Sequence, residues 1–242
     1  MPDTDSRLVR VALVTGGSRG IGRAVVEALL AEGFAVFFCS RNPDSVGAAE
    51  RDLQGRFPGR VSGRAVDVRR QSEVDACVAW VTATAGRIDC LVNNAGTGAF
   101  EAVDALDGDT WREVVETNLC GAFYGIRAVA PHMRRQGSGW IFNVASLAGR
   151  NPFAGGAAYN ASKFGLVGLS EAAMLDLRHD GVRVTAILPG SVDTGFHQGR
   201  RPQREWMLAP QDVARVVVDC LRFPDRALPS LVELRPSRPP RK

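Results

Sequence analysis

Tyr159 and Lys163 stand four residues apart in the run Tyr159-Asn160-Ala161-Ser162-Lys163, and Leu166, Leu169, Ala173 and Leu177 continue it at helical spacing. Positions i and i+4 of a helix share one face, so the phenol and the ammonium point the same way. A free phenol titrates near ~10, too high to exchange protons readily at neutral pH, and a neighbouring cation lowers that value. Bringing it to about 7 takes roughly 4 kcal/mol, at about 1.4 kcal/mol per unit. The lysine supplies part of this, and a bound cationic cofactor would supply more. The chemistry is general acid–base catalysis. A half-exposed amphipathic pair has the same spacing, so the rest of the chain must decide between them.

The elements that would position this pair are legible as an alternation. Short β-branched or apolar runs predict strands at Val9–Thr15, Ala35–Cys39, Val61–Val66, Cys90–Asn93, Trp140–Val144, Arg183–Leu188 and Leu231–Leu234. Between them, helical patterns run over Ile21–Glu32, Val46–Gln54, Gln71–Thr84, Thr110–Arg135, Tyr159–His179 and Pro210–Arg222. Strand–helix alternation means βαβ units, right-handed crossovers and a parallel sheet. The fold class expected is α/β: one Rossmann-type, doubly wound parallel sheet of about seven strands with helices on both faces. Residues 1–234 read as a single domain, and residues 235–242 as a Pro/Arg-rich tail, extended or disordered. In such sheets ligands sit beyond the carboxyl ends of the strands, near the topological switch point.

At the end of the first strand lies Gly16-Gly17-Ser18-Arg19-Gly20-Ile21-Gly22, followed by a helix. Glycines there permit a tight turn and bring backbone amides to a pyrophosphate at the helix start. The second strand ends Phe37-Phe38-Cys39-Ser40-Arg41, without the acid that would bond ribose hydroxyls in an NAD-selective site. Arg41, with Arg19 in the glycine turn, would form charge-assisted bonds with a 2′-phosphate, so NADP(H) is expected over NAD(H). Asp67-Val68, ending the third strand, would edge the adenine. Asn93-Asn94-Ala95-Gly96, ending the fourth, suits close packing against a cofactor, although a turn would read the same.

Taken together, Thr15-Gly16-x-x-x-Gly20-Ile21-Gly22, Asn93-Asn94-Ala95-Gly96, Ser146, Tyr159-x-x-x-Lys163 and Pro189-Gly190 resemble the short-chain dehydrogenase/reductase family, with every motif in the expected order. The resemblance implies an oxidoreductase of the carbonyl reductase or 3-oxoacyl reductase type. It implies that Asn118 holds a water in a proton relay, that Ser146 polarises the substrate carbonyl, and that Tyr159 is the acid or base. Lys163 would lower the tyrosine's pKa and bind the nicotinamide ribose. Pro189, Gly190, Val192 and Thr194 would line the nicotinamide ring. The full cofactor set is then Gly16, Ser18, Arg19, Gly20, Ile21, Gly22, Ser40, Arg41, Asp67, Val68, Asn94, Ala95, Gly96, Tyr159, Lys163, Pro189, Gly190, Val192 and Thr194.

Two segments rich in Gly and Pro flank the expected pocket: Leu147–Gly156, and Gly195–Trp206 with Phe196, Arg200, Arg201 and Arg204. Phe153, Phe196 and Trp206 offer apolar contact. Arg150, Arg200, Arg201 or Arg204 would meet an anionic substrate group, unless they are solvated loop arginines. Alanine, glycine and leucine on Thr110–Arg135 and Tyr159–His179 suit close packing between subunits, and family resemblance implies a homodimer or homotetramer. The tail Arg235-Pro236-Ser237-Arg238-Pro239-Pro240 departs from the Gly-rich close of many 3-ketoacyl reductases.

Composition excludes other classes. A net charge of +4 is no nucleic-acid signature. The five cysteines (Cys39, Cys77, Cys90, Cys120, Cys220) show no metal-ligand spacing and suit reduced thiols in the cytoplasm, and His132, His179 and His197 are too dispersed for a metal site. No signal-like or membrane-length apolar run is present, so a cytoplasmic chain acting on a small-molecule carbonyl or alcohol is expected. The alternative is a catalytically silent NADPH-binding sensor or scaffold of the same fold, which typically lacks the Tyr or the Lys. Nucleotide-sugar epimerases share the pair but usually need a larger substrate domain.

Overall fold

Strand β1 (Val11–Thr15) is buried along its whole length because both its faces are covered. Ala12 and Val14 point into one layer of helices, Val11 and Leu13 into the other. Parallel central strands buried on both faces read as continuous apolar runs, which is why the strands were recognisable in the sequence. The computed structural model describes residues 9–194 and 205–240. Seven strands pair in the order β3-β2-β1-β4-β5-β6-β7, all in parallel. These are β1, β2 (Ala35–Ser40), β3 (Val61–Ala65), β4 (Cys90–Asn93), β5 (Gly139–Val144), β6 (Val182–Pro189) and β7 (Leu231–Leu234). The switch point lies between β1 and β4, where the chain stops adding strands on one side and begins on the other.

Helices α1 (Gly20–Ala31), α2 (Pro43–Arg56) and α7 (Pro210–Leu221) cover one face around Phe38, Phe142 and Trp140. Helices α3 (Gln71–Ala85), α5 (Gly121–Gln136) and α6 (Ala157–Leu177) cover the other around Phe37, Leu91 and Ile141. The expected single helix Thr110–Arg135 is instead α4 (Gly108–Val115), a π turn (Glu116–Cys120) and α5 in succession. The π turn carries Asn118. Such turns interrupt helices frequently at functional positions, and apolar periodicity does not reveal them.

A buried polar chain fixes α6 against the sheet. Asn93 Nδ2 donates to Asn143 Oδ1 at 2.9 Å, and Asn143 Nδ2 donates to Ser170 Oγ at 2.9 Å. β4, β5 and α6 are thereby joined below the residues of interest. Asn93 Oδ1 faces Gly125 of α5, where a Cβ would stand 2.5 Å from it. Buried polar groups left without partners are expensive, so this chain restricts the register of α6. Among the described residues, no helix is long and apolar enough to cross a membrane, and no cluster of His, Cys, Asp or Glu could hold a metal.

Candidate active site

The carboxyl ends of β1, β2, β4, β5 and β6 open onto one groove of about 1370 Å³. Its floor at the switch point is held by Thr15 and Asn94. Thr15 Oγ1 accepts from the amides of Asn94 at 3.0 Å and Ala95 at 3.1 Å. Asn94 Nδ2 donates back to the carbonyls of Thr15 at 3.0 Å and Gly16 at 3.2 Å. Gly16 takes φ +67°, and a Cβ there would lie 2.8 Å from Asn94 Nδ2. A Cβ on Gly22 would collide with the Gly16 carbonyl, so both positions require glycine. The residue before α1, Arg19, makes no side-chain cap, and the first turn carries no acid. Its first amides are thus left for an anion in the groove. Gly16, Ser18, Arg19, Gly20 and Ile21 line this part, and the Ser18 amide donates to Ser40 Oγ at 3.2 Å. These features suit a dinucleotide diphosphate. Gly22 itself packs beneath the turn rather than lining the groove.

At one end of the groove lie Ser40, Arg41, Asp67 and Val68, as the sequence places them. A carboxylate lies there too. Glu113 of α4 accepts from Arg41 Nη1 at 2.7 Å and lies 3.6 Å from Arg69 Nη1. Asp67 is held by three bonds from the Arg69 guanidinium, which keeps that carboxyl below the usual carboxylate range. Glu113 was not signalled by sequence, because it reaches the site from α4, and Arg69, two residues beyond Asp67 in the loop after β3, belongs to no motif.

At the other end stand Ser146, Tyr159 and Lys163. Ser146 follows β5 and caps a short 3₁₀ turn, accepting from the Ala148 amide at 3.1 Å. Its hydroxyl also bonds the Tyr159 phenol. Lys163 is 5% exposed, and its Nζ donates to the Val144 carbonyl at 2.9 Å and stands 5.7 Å from the Tyr159 ring centre. Burial pushes the lysine down to about 8. Burial likewise raises the Tyr159 phenol above its ordinary value, opposed by the Ser146 bond. Removal from water outweighs the Ser146 bond, and the Lys163 ammonium, held on a backbone carbonyl, does not reverse that direction. At neutral pH the phenol is protonated.

Asn118 is 1% exposed, and its side chain does not enter the groove. Its Nδ2 donates to the Thr97 carbonyl at 2.9 Å and to Ser162 Oγ at 3.0 Å, and its Oδ1 accepts from the Thr97 amide at 2.8 Å. Ser162 Oγ in turn donates to the Tyr159 carbonyl at 2.8 Å. Both amide protons are thus committed to protein, and through these bonds Asn118 connects the loop after β4 to the backbone that carries the tyrosine.

Pro189, Gly190, Val192 and Thr194 line the groove after β6, and Ala95 and Gly96 do so after β4. Phe100 packs edge-on against Tyr159 at 5.7 Å and lies 5.9 Å from Phe153, forming an aromatic mouth. Phe100 sits in a loop without periodicity, and nothing in sequence singled it out. Trp206 lines the groove, whereas Phe196, Arg200, Arg201 and Arg204 lie outside the described residues. Arg150 pairs with Glu233 at 3.4 Å, and Glu233 with Arg235 at 2.8 Å. The residues after β7 follow no helix or strand and lie along the groove, with Pro236, Pro239 and Pro240 among its walls. The Gly190 amide donates to the Leu234 carbonyl at 2.7 Å, and a Cβ on Gly190 would stand 2.8 Å from Pro236 Cδ.

Comparison with known proteins adds the following. The family described as short chain dehydrogenase matches residues 10–205. A Streptomyces coelicolor protein carrying a ketoacyl reductase name is 41% identical over 187 residues, covering 76% of this chain and 71% of its own. An oxidoreductase of Staphylococcus saprophyticus is 33% identical over 227 residues, 94% of this chain and 97% of its own. A metagenomic short-chain oxidoreductase solved in complex with NADP superposes with a TM-score of 0.84 at 35% identity, over 96% of this chain and 99% of that one. An alcohol dehydrogenase of the archaeon Thermococcus sibiricus, complexed with 5-hydroxy-NADP, gives a TM-score of 0.89 at 26% identity, over 97% and 100%.

Proposed function

The chain belongs to the short-chain dehydrogenase family, and from that premise we propose that it interconverts a ketone and a secondary alcohol with NADP(H), Tyr159 acting as acid and base. The observation that carries the reading is the convergence of Ser146, Tyr159 and Lys163 at one end of a groove whose floor is a glycine turn before an uncapped helix. NADP(H) over NAD(H) is supported by Arg41 and Arg19 at the groove and by the NADP complexes of the structural relatives.

Bound nicotinamide supplies or accepts the hydride. The protein's part is electrostatic and protonic. As a carbonyl carbon is reduced, charge grows on its oxygen, which needs donors already aimed at it. Ser146 provides one hydroxyl and Tyr159 another, and the protonated phenol gives up its proton to the new alcohol. Lys163, with a pKa of about 8, is charged at neutral pH and steadies the phenolate that remains. Asn118 is a positioning residue, acting through Ser162 on the Tyr159 backbone. In the oxidative direction the same groups run in reverse.

The deciding experiment is NADPH oxidation followed by absorbance with a panel of ketones and diketones. Turnover of at least one substrate is expected, with NADH poorer than NADPH. NADPH binding without turnover of any carbonyl would favour the silent sensor reading instead. Exposed Trp111, Phe123, Phe164 and Leu175 on α4, α5 and α6 support assembly as a homodimer or homotetramer.

The wall formed by the last residues gives a second expectation. Truncation after Arg235 removes Pro236, Pro239 and Pro240 from the groove wall. An apolar wall contact is worth about 1–3 kcal/mol in discrimination between substrates, so KM for bulky ketones should rise roughly 5-fold to 160-fold. The NADPH dissociation constant should stay within about twofold, because the glycine turn is untouched. Equal loss of both affinities would mean that the tail supports the fold and not the pocket.

A further inference from the structure

At the end of the groove built by β2 and β3, the arginine that follows β2 is already paired. Arg41 and Arg69 contribute two cations, Asp67 and Glu113 two anions, and each cation is within 4 Å of an anion. The sequence places a lone guanidinium after β2, but the fold brings Glu113 onto it from a helix 72 residues away. Asp67 is committed to Arg69 through three bonds, whereas Glu113 holds Arg41 through one. Both Arg41 and Glu113 are half-exposed, with side chains 64% and 41% accessible. An ion pair so open to water holds weakly and yields to a stronger competitor.

We infer that Glu113 sets the selectivity of this site for the phosphate state of the cofactor, by competing with a ribose 2′-phosphate for Arg41. The inference rests on the reading that Arg41 recognises that phosphate. Two consequences follow from the chemistry. Engaging the phosphate requires Arg41 to leave or share Glu113, and the displaced carboxylate then faces a second anion across the groove. Both effects disfavour NADP(H) and neither touches NAD(H), which has no charge at that position. Glu113 is thus an acid that moderates NADP(H) preference from a helix, where a family-style acid after β2 is absent. Removing its charge while keeping its size should release Arg41, while Arg69 stays bonded to Asp67.

The test is direct titration of NADPH and NADH by calorimetry or by quenching of tryptophan fluorescence, without substrate. Four proteins are compared: the natural chain, Glu113→Gln, Arg41→Ala, and the double variant. Glu113→Gln should tighten NADPH about threefold to tenfold and leave NADH within about twofold, a gain that shrinks as salt rises. Arg41→Ala should weaken NADPH, and in that background Glu113→Gln should recover less than half of its effect, in logarithmic terms. If Arg41→Ala leaves NADPH unchanged, the phosphate reading itself fails. If Arg41→Ala weakens NADPH but Glu113→Gln weakens it too, Glu113 holds Arg41 in its binding pose and the inference is overturned. An equal change for both cofactors overturns it as well, because the effect would then be on the adenosine and not on the phosphate.

Discussion

Tyr159→Phe is expected to lower turnover by about three orders of magnitude, with NADPH binding unchanged within about threefold. The substitution removes one oxygen and leaves the ring, so the edge contact with Phe100 at 5.7 Å survives. What is lost is the only phenol that Ser146 bonds at the end of the groove. Ser146 can still donate to a carbonyl oxygen, but the phenol proton that neutralises the alkoxide is gone. General acid assistance is typically worth about 10²–10⁴ in rate, which sets the scale. The pH profile carries a sign as well. Burial raises the phenol's pKa, so the phenol stays a proton donor across neutral pH, and the reductive rate should first decline as Lys163 releases its proton at about 8. Steady-state kinetics with the best ketone, a fluorescence titration of NADPH and a thermal melt together check the expectation. Residual turnover within tenfold of the natural chain would remove Tyr159 from the chemistry.

Lys163→Met should move activity and stability in opposite directions. Burial lowers the lysine from 10.5 to about 8, so the folded chain holds the charged form less readily than the unfolded chain does. Below pH 8 both states are protonated, and the full difference, about 3 kcal/mol, counts against folding. As pH rises through about 8 the folded chain releases its proton while the unfolded chain keeps one until ~10.5, so stability recovers across that window. Methionine fills the volume without the charge, but leaves the Val144 carbonyl unbonded at a loss of about 1–2 kcal/mol. The net is a gain of about 1–2 kcal/mol at pH 7, or roughly 2–8 °C in Tm for a chain of this size. The gap over the natural protein should close towards pH 10. Turnover should fall about a hundredfold or more, since nothing then steadies a phenolate at Tyr159. Melting curves of both proteins at pH 7 and pH 10 decide it; a variant less stable at pH 7, or a gap that widens with pH, contradicts the account. Such a trade is common where a site holds a charge that the fold alone would discard.

Much of the scaffold was legible because its causes are local. Central strands covered on both faces are runs such as Val11–Thr15 and Cys90–Asn93, and helices between them carry one apolar side. Strand ends shifted by a residue or two, where pairing and not composition decides the boundary: β6 runs through Pro189 because the strand keeps its partner Leu234 there. The π turn at Asn118 was not legible, since one extra residue in a turn leaves the apolar pattern on either side intact. Phe100 and the proline wall were missed for a related reason. Loop and tail residues carry no period, and their place in the groove depends on where β4 and β7 deliver them.

By itself, the sequence determined the chemistry on offer. It put a phenol and an ammonium on one helical face, a glycine turn after the first strand, and a serine after the fifth, because spacing within an element is set by backbone geometry. Only the tertiary structure decided how those groups are charged and what opposes them. It buried Lys163 and Tyr159 so that both moved away from their charged forms, turned the Asn118 carboxamide inward, and set Glu113 beside Arg41. Solvent exclusion and pairing across 72 residues act through space, and no local reading of the chain contains them.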